Sequence, residues 1–454
     1  MNWTRYIETK YIKQGTDMIK QKEFARRRAL LMEIAGEDSV VIVRSAAQKI
    51  RNNDAHYPYR QDSDFMYLSG FKEPNAMMVL LPEQEGGDGR CVMFCREKDP
   101  FREMWDGAMA GTQGAVEHFG FDEAFPIADM EKRLPELLQD RDRIYHDLGK
   151  DAEFDQTLIS WMNESRGKSR RKFVVPDEIV ALDHSLHEMR LFKSRTEITA
   201  MRKSARVAAQ AHQIAMQVCK PGMNEADIHA ELLKTFTRHH CEASYIPIVA
   251  GGANACVLHY ISNRDELNDG DLLLIDAGAE YDGYASDITR TFPVNGKFSG
   301  PQNALYEVVL AAQLAAIDEV KAGLPWDHVH ETAVEIATQG MLDLGILQGS
   351  LEQALEEELF KDFYVHNTGH WLGLDVHDVG DYEIDGHSRV LEPGMVLTVE
   401  PGIYIPKSAT NVDEIWRGLG IRIEDDVLVT KSDPDVLSSD ICKNIKDIEA
   451  LMAG

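Results

Sequence analysis

The chain has 454 residues, 44% of them hydrophobic, which is enough for about two or three domains with substantial cores. Lysine and arginine number 48 against 76 aspartates and glutamates, a formal charge of −28 that repels phosphate backbones and excludes nucleic acid as an expected partner. Six cysteines without a CxxC pair, a polar start and no apolar run of about 18 residues read as a cytoplasmic protein with free thiols, no signal peptide and no membrane span.

In chain order, residues 19–34 predict a charged amphipathic helix. SVVIVRS and AMMVLLPE predict strands, and CVMFCRE returns on the second of these after the turn EGGDGR (85–90). The basic run NESRGKSRRK (163–172) has no apolar period and is read as solvated linker or surface, with a domain boundary at about 173–180. Ser194 and Glu197 form a capping-box pattern that opens a helix, which KPGM (220–223) stops. A second helix runs through NEADIHAELLKTF. The apolar run DLLLIDAG then turns near Asp282-Gly283 into SDITRTFPV.

The following residues repeat this order. A helix through ALYEVVLAAQLAAIDEV stops at Gly323 and Pro325, and a second passes through HVHETAVEIATQGML. MVLTVEPGIYI and GIRIEDDVLVT supply a strand and its return. The repeat predicts one domain of two related halves with a site between them.

Asp276 ends the first apolar strand and Asp287 begins its return, placing them within about a residue of register across the hairpin. Glu400 follows MVLTV and Glu424 lies in GIRIEDD, again one carboxylate per paired strand. A single strand-end acid is ordinarily solvated, but four in corresponding places would repel one another unless a cation lay between them. The segment YVHNTGHWLGLDVHDVG (364–380) adds His366, His370 and His377 on a glycine-punctuated stretch. HExxH and Cys/His zinc patterns are absent from the sequence, as are a dinucleotide fingerprint, a P-loop and a GxSxG elbow. Four carboxylates with an imidazole suit manganese, with cobalt or zinc as substitutes, and exceed the needs of one ion.

LLLIDAGAEYDGYASDITRTFPV, HWLGLDVHDVG, MVLTVEPGIY and GIRIEDD resemble the proline-specific metallopeptidases of the pita-bread fold, in particular the Xaa-Pro aminopeptidase (aminopeptidase P) family. The resemblance extends to YPYRQDSDFMYLSGF (57–71) and HEMRLFKSRTEI (187–198), omitting roughly the first 20 residues. It implies an α/β (α+β) chain: an N-terminal α/β domain, 1–177, serving oligomerisation and substrate access, and a pita-bread catalytic domain of two related halves, 178–454. Two Mn²⁺ per subunit are implied. Asp276 would bind one ion, His370 and Glu400 the other, with Asp287 and Glu424 bridging.

The implied reaction is hydrolysis of the N-terminal Xaa-Pro bond of a proline-containing peptide by a hydroxide held between the ions. Glu400 would take its proton, His377 would bond the tetrahedral intermediate, and His259 and His366 would hold the proline side. Arg422 would support the ligands. Trp105 resembles a tryptophan that reaches a neighbouring subunit's site in tetrameric relatives, implying a homo-oligomer, dimer or tetramer.

Two positions depart from the pattern: Asn367 stands where glycine is usual, and His387 where an arginine near the substrate is expected. An Xaa-Pro dipeptidase shares all five ligands and is the nearest rival. A non-catalytic binding protein or a metal-free creatinase-like hydrolase fits the intact ligand set less well.

Overall fold

The computed structural model describes residues 19–83, 89–169 and 173–454. The chain divides into two compact units, Met1–Met189 and Arg190–Gly454.

In the first unit, helix α1 (Gln21–Ala35) buries Phe24, Leu31 and Met32, and with them Arg27 and Arg28. These arginines donate to the carbonyls of Tyr67 and Leu68, at 2.9 and 3.0 Å. Those carbonyls lie in the last turn of α2 (Ser63–Ser69), where no helical partner exists, so buried charge here serves as a helix cap. The six-stranded sheet contains β1 (Ser39–Arg44), β2 (Met77–Leu81), β3 (Arg90–Cys95), β4 (Glu123–Pro126), β5 (Arg143–Tyr145) and β6 (Glu178–Val180), in the order β4-β3-β2-β1-β5-β6. The predicted hairpin forms, with Met77 opposite Phe94. Its turn EGGDGR lies mostly outside the described residues.

The short helix α3 (Pro100–Asp106) carries Trp105, and α4 spans Ala152–Ser169. Helix α4 corrects the linker alternative for 163–169, which are helical, while Asn163, Glu164, Arg166 and Gly167 are exposed as the surface alternative has it. Leu158, Trp161, Met162 and Ser165 are all buried and keep helical spacing, so the inward face continues one turn past the apolar residues. Residues 170–172 lie outside the described residues.

The second unit begins with α5 (Arg195–Val218). The Glu197 amide donates to Ser194 Oγ while the Ser194 amide donates to the Glu197 carboxylate, so the predicted capping box is present. After α6 (Glu225–Arg238) come β7 (Ile248–Gly251) and β8 (Leu272–Asp276). A small hairpin of β9 (Ala279–Tyr281) and β10 (Tyr284–Ala285) precedes β11 (Thr289–Pro293). Strands β7, β8 and β11 form one antiparallel sheet. The hairpin turns at Asp282-Gly283, with φ of 52° and 86°.

Asp276 pairs with Thr289, so Asp287 lies two residues before its register partner, not within one. Residues 286–288 form no regular strand, although the Ala277 amide still donates to the Ile288 carbonyl at 3.0 Å and the Ser286 amide to the Ala279 carbonyl at 2.9 Å, and the backbones approach closely here. A Cβ on Gly278 would lie 1.6 Å from the Ser286 carbonyl oxygen.

Helices α7 (Gly300–Asp318) and α8 (Trp326–Asp343) follow. Next come a hairpin of β12 (Glu383–Ile384) and β13 (His387–Ser388), then β14 (Val396–Val399), β15 (Gly402–Ile405), β16 (Leu419–Arg422) and β17 (Asp425–Leu428). MVLTVEPGIYI and GIRIEDDVLVT are therefore each two strands. Pro401 has no amide to donate, and the chain changes partner there. Val399 pairs with Asp425 and Gly402 with Arg422. Glu400 and Glu424 occupy the two opposed breaks. One core joins both halves, from Leu273, Ile275 and Phe292 to Val399, Ile403 and Ile421. Among the described residues no helix is long and apolar enough to cross a membrane.

Candidate metal centre

A cavity of about 220 Å³ in the second unit is lined by Asp276, Asp287, Glu400 and Glu424, by His259, His366, His370 and His377, and by Arg422. Every candidate site residue read from the sequence reaches it except Trp105. Trp105 lies on α3 in the first unit, 76% exposed beside Phe101. His387 lies on the exposed β13 and lines no part of this cavity. Asn367 lines it with an ordinary backbone, outside the left-handed region, so nothing at that position requires glycine.

Strand ends and breaks aim the acids inward: Asp276 from the end of β8, Asp287 from the irregular stretch before β11, Glu400 and Glu424 from the breaks. Donor atoms of Asp287, His370 and Glu424 all lie within 4.8 Å of one another. His370 Nδ1 faces the Trp371 carbonyl at 2.9 Å and is therefore its protonated nitrogen, leaving Nε2 toward Asp287 at 3.4 Å and Glu400 at 3.6 Å. The histidine loop approaches β14 closely, for a Cβ on Gly369 would lie 2.0 Å from the Thr398 carbonyl oxygen. The His370 amide donates to Thr398 Oγ1, and the Glu400 amide to the Thr368 carbonyl.

The charges do not balance. Burial, then mutual repulsion, raises the Glu424 carboxyl well above its ordinary value. Burial lifts Glu400 to about 7 although His370 and Arg422 pull it down, and lifts Asp276 to about 6 against Arg422. Burial would lower His370, yet Asp287 and Glu400 carry it to about 9. Protons would relieve this crowding, and so would divalent cations, for which an oxygen-rich set with one imidazole is the matching donor chemistry. The residues fit a metal centre.

Several partners escaped the sequence reading. Tyr245 OH lies 2.5 Å from both Asp276 Oδ1 and Asp287 Oδ1. Arg422 donates to Asp276 at 2.7 Å, to Tyr404 OH at 2.9 Å and to Thr289 Oγ1 at 3.1 Å; Thr289 in turn donates to Glu424 at 2.6 Å. With its oxygen occupied by Arg422, Tyr404 donates to His366 Nε2 at 2.8 Å, and His366 Nδ1 donates to the Asn367 carbonyl at 2.7 Å. Burial and then Arg422 depress His366 to about 4, so it is neutral. Tyr245, in ASYIP, has no spacing signal; Tyr404, in GIYI, reads as an ordinary strand residue.

Glu225 was also missed. It is fully buried and accepts from the amides of Gly251 and Asp265 and from the side chains of Asn254 and Tyr260, at 2.8–3.0 Å. Those four residues bracket His259.

A family model for metallopeptidase family M24 matches residues 199–431, and one for the aminopeptidase P N-terminal domain matches residues 24–145. The chain belongs to metallopeptidase family M24, a family of divalent-metal enzymes, and has its pita-bread fold behind an aminopeptidase P N-terminal domain. It is 42% identical over 435 residues to the Xaa-Pro aminopeptidase of Escherichia coli (strain K12), covering 96% of this chain and 98% of that protein. It is similar to the solved structure of Pseudomonas aeruginosa aminopeptidase PepP, with a TM-score of 0.94 and 50% identity over 96% of this chain and 98% of that one. Zn-substituted E. coli aminopeptidase P in complex with product gives a TM-score of 0.93 at 42% identity, with the same two coverages.

Proposed function

We propose that the chain is an Xaa-Pro aminopeptidase that releases the N-terminal residue of peptides whose second residue is proline. The observation that carries this is the convergence of four carboxylates, His370 and three further histidines on one cavity, in a chain alike over nearly its whole length to an Xaa-Pro aminopeptidase. A proline second residue gives the scissile bond a tertiary amide, with no N–H to offer a site that expects one.

Asp276, Asp287, His370, Glu400 and Glu424 would hold two Mn²⁺ ions, with cobalt or zinc as substitutes. Bound there, the ions would supply a water of lowered pKa and neutralise charge developing on the scissile carbonyl. Glu400 accepts the proton of the attacking water and returns it to the leaving proline nitrogen. His377 donates to the tetrahedral intermediate. His259 and His366 hold the proline side, and the Arg422–Tyr404–His366 chain fixes the His366 ring and its tautomer. Phe101, Met104 and Trp105 project 63%, 75% and 76% exposed from α3, which supports a homo-oligomer in which the first unit offers Trp105 to a neighbouring copy.

The test is hydrolysis of an Xaa-Pro-Xaa tripeptide, an Xaa-Pro dipeptide and an Xaa-Ala-Xaa tripeptide in manganese buffer. Cleavage of the proline tripeptide with little of the alanine one is expected. Cleavage of the dipeptide alone would make the chain a dipeptidase.

A further inference from the structure

Beside the metal cavity, and sharing His370 and His377 with it, lies a second cavity of about 470 Å³. That is roomy enough for an amino-acid side chain. Its walls include Trp326 and Tyr382, with ring centroids 4.8 Å apart, and the carboxylate residues Asp327 and Glu383. No lysine or arginine lines it among the described residues. An aromatic wall with two carboxylates and no lysine or arginine matches an ammonium or guanidinium group on a long aliphatic stem, because rings and carboxylates attract the charge while the rings also pack the stem.

The two acidic walls are held together. Trp326 and Asp327 open α8, and Glu383 begins the β12–β13 hairpin. The Trp326 amide donates to the Arg389 carbonyl at 2.8 Å and the Asp327 amide to Ser388 Oγ at 3.0 Å, tying the helix start to the returning arm. The Arg389 amide donates to the Tyr382 carbonyl at 2.9 Å, so the arm bearing Tyr382 and Glu383 is fixed as well. An acid in the first turn of a helix has an ordinary explanation in the helix dipole, which accounts for Asp327 but not for Glu383.

We infer that this second cavity is a specificity pocket for a lysine or arginine side chain of the substrate peptide, with Asp327 and Glu383 as its selecting groups. The inference rests on the peptidase reading above, and its test separates the two. Specificity constants are compared for Lys-Pro-Ala against norleucine-Pro-Ala, and for Ala-Pro-Lys against Ala-Pro-norleucine. Norleucine keeps the stem and removes the charge. Tryptophan fluorescence is titrated in parallel with Nα-acetyl-lysine amide and Nα-acetyl-norleucine amide, which need no cleavage.

A lysine preference of about tenfold, the size of one modest charge interaction, is expected at one of the two peptide positions, and that position places the pocket before or after the proline. The lysine amide should bind more tightly than its norleucine counterpart. In the D327N/E383Q double variant both ratios should fall to about one. Equal handling of lysine and norleucine in both assays, or a preference that survives in the double variant, would overturn the inference. Selective binding of the lysine amide without cleavage of any proline peptide would instead overturn the peptidase reading and leave the pocket standing.

Discussion

A single phenol sits where the two halves of the first carboxylate pair meet. Tyr245 has one proton for two carboxylate oxygens, each 2.5 Å away, and both belong to residues proposed as metal ligands. Burial, then Asp276 and Asp287, push its own ionisation far above the ordinary tyrosine value, so it acts only as a donor that orients them. Tyr245→Phe should therefore weaken Mn²⁺ binding or activity about 10- to 100-fold, the usual loss when a ligand's supporting hydrogen bond is removed. Competition with a metal-sensitive dye reads this directly, and unchanged metal affinity with full activity would contradict the role. The acids were legible in the sequence because each stands at the end or the start of a strand pattern. Tyr245 was not, since one tyrosine between Ser244 and Ile246 carries no period and gains its meaning only when the fold brings it to Asp276 and Asp287.

Loops and strand breaks do the positioning at the next scale. Glu225, the first residue of α6, receives four hydrogen bonds from the segment that carries His259. Glu225→Gln exchanges one acceptor oxygen for an amide donor facing donors, at a cost of about 1–3 kcal/mol. Its kcat/KM for proline tripeptides should fall while bound metal stays constant, as specificity assays and metal analysis would show together. Elsewhere Asp378, one residue past His377, is buried between Arg190 at 2.5 Å and Lys193 at 3.0 Å. Burial alone would raise its carboxyl, but Lys193 and Arg190 outweigh that and hold it below the ordinary value. A depressed folded value means the stabilisation is complete above the unfolded carboxyl's value, about 3.9, and is lost as pH falls toward the folded one. Asp378→Asn should cost about 3–5 kcal/mol at neutral pH and flatten the acid limb of a stability–pH profile measured by denaturant unfolding. The order of elements along the chain, the capping box and the Asp282-Gly283 turn were readable from local pattern. The breaks at Glu400 and Glu424 were not, because a change of strand partner leaves no mark on alternation beyond Pro401 itself.

For the whole molecule, the doubled order of helix, stop, helix, strand and return strand announced two related halves, and the structure gives them one shared core with the acids at corresponding strand ends and breaks. What the repeat could not convey was the extension of α4 into a basic run, since a helix can continue on a few buried contacts after its apolar residues stop. We propose that the acid cluster holds two ions that act together. The measurement is a titration of metal-stripped protein with Mn²⁺, with bound metal and Xaa-Pro-Xaa cleavage followed in the same samples. The expected result is saturation at two ions per chain, with cleavage appearing as the sites fill and disappearing again on chelation. Full cleavage in the presence of a strong chelator, or full cleavage with saturation at a single ion per chain, would contradict it.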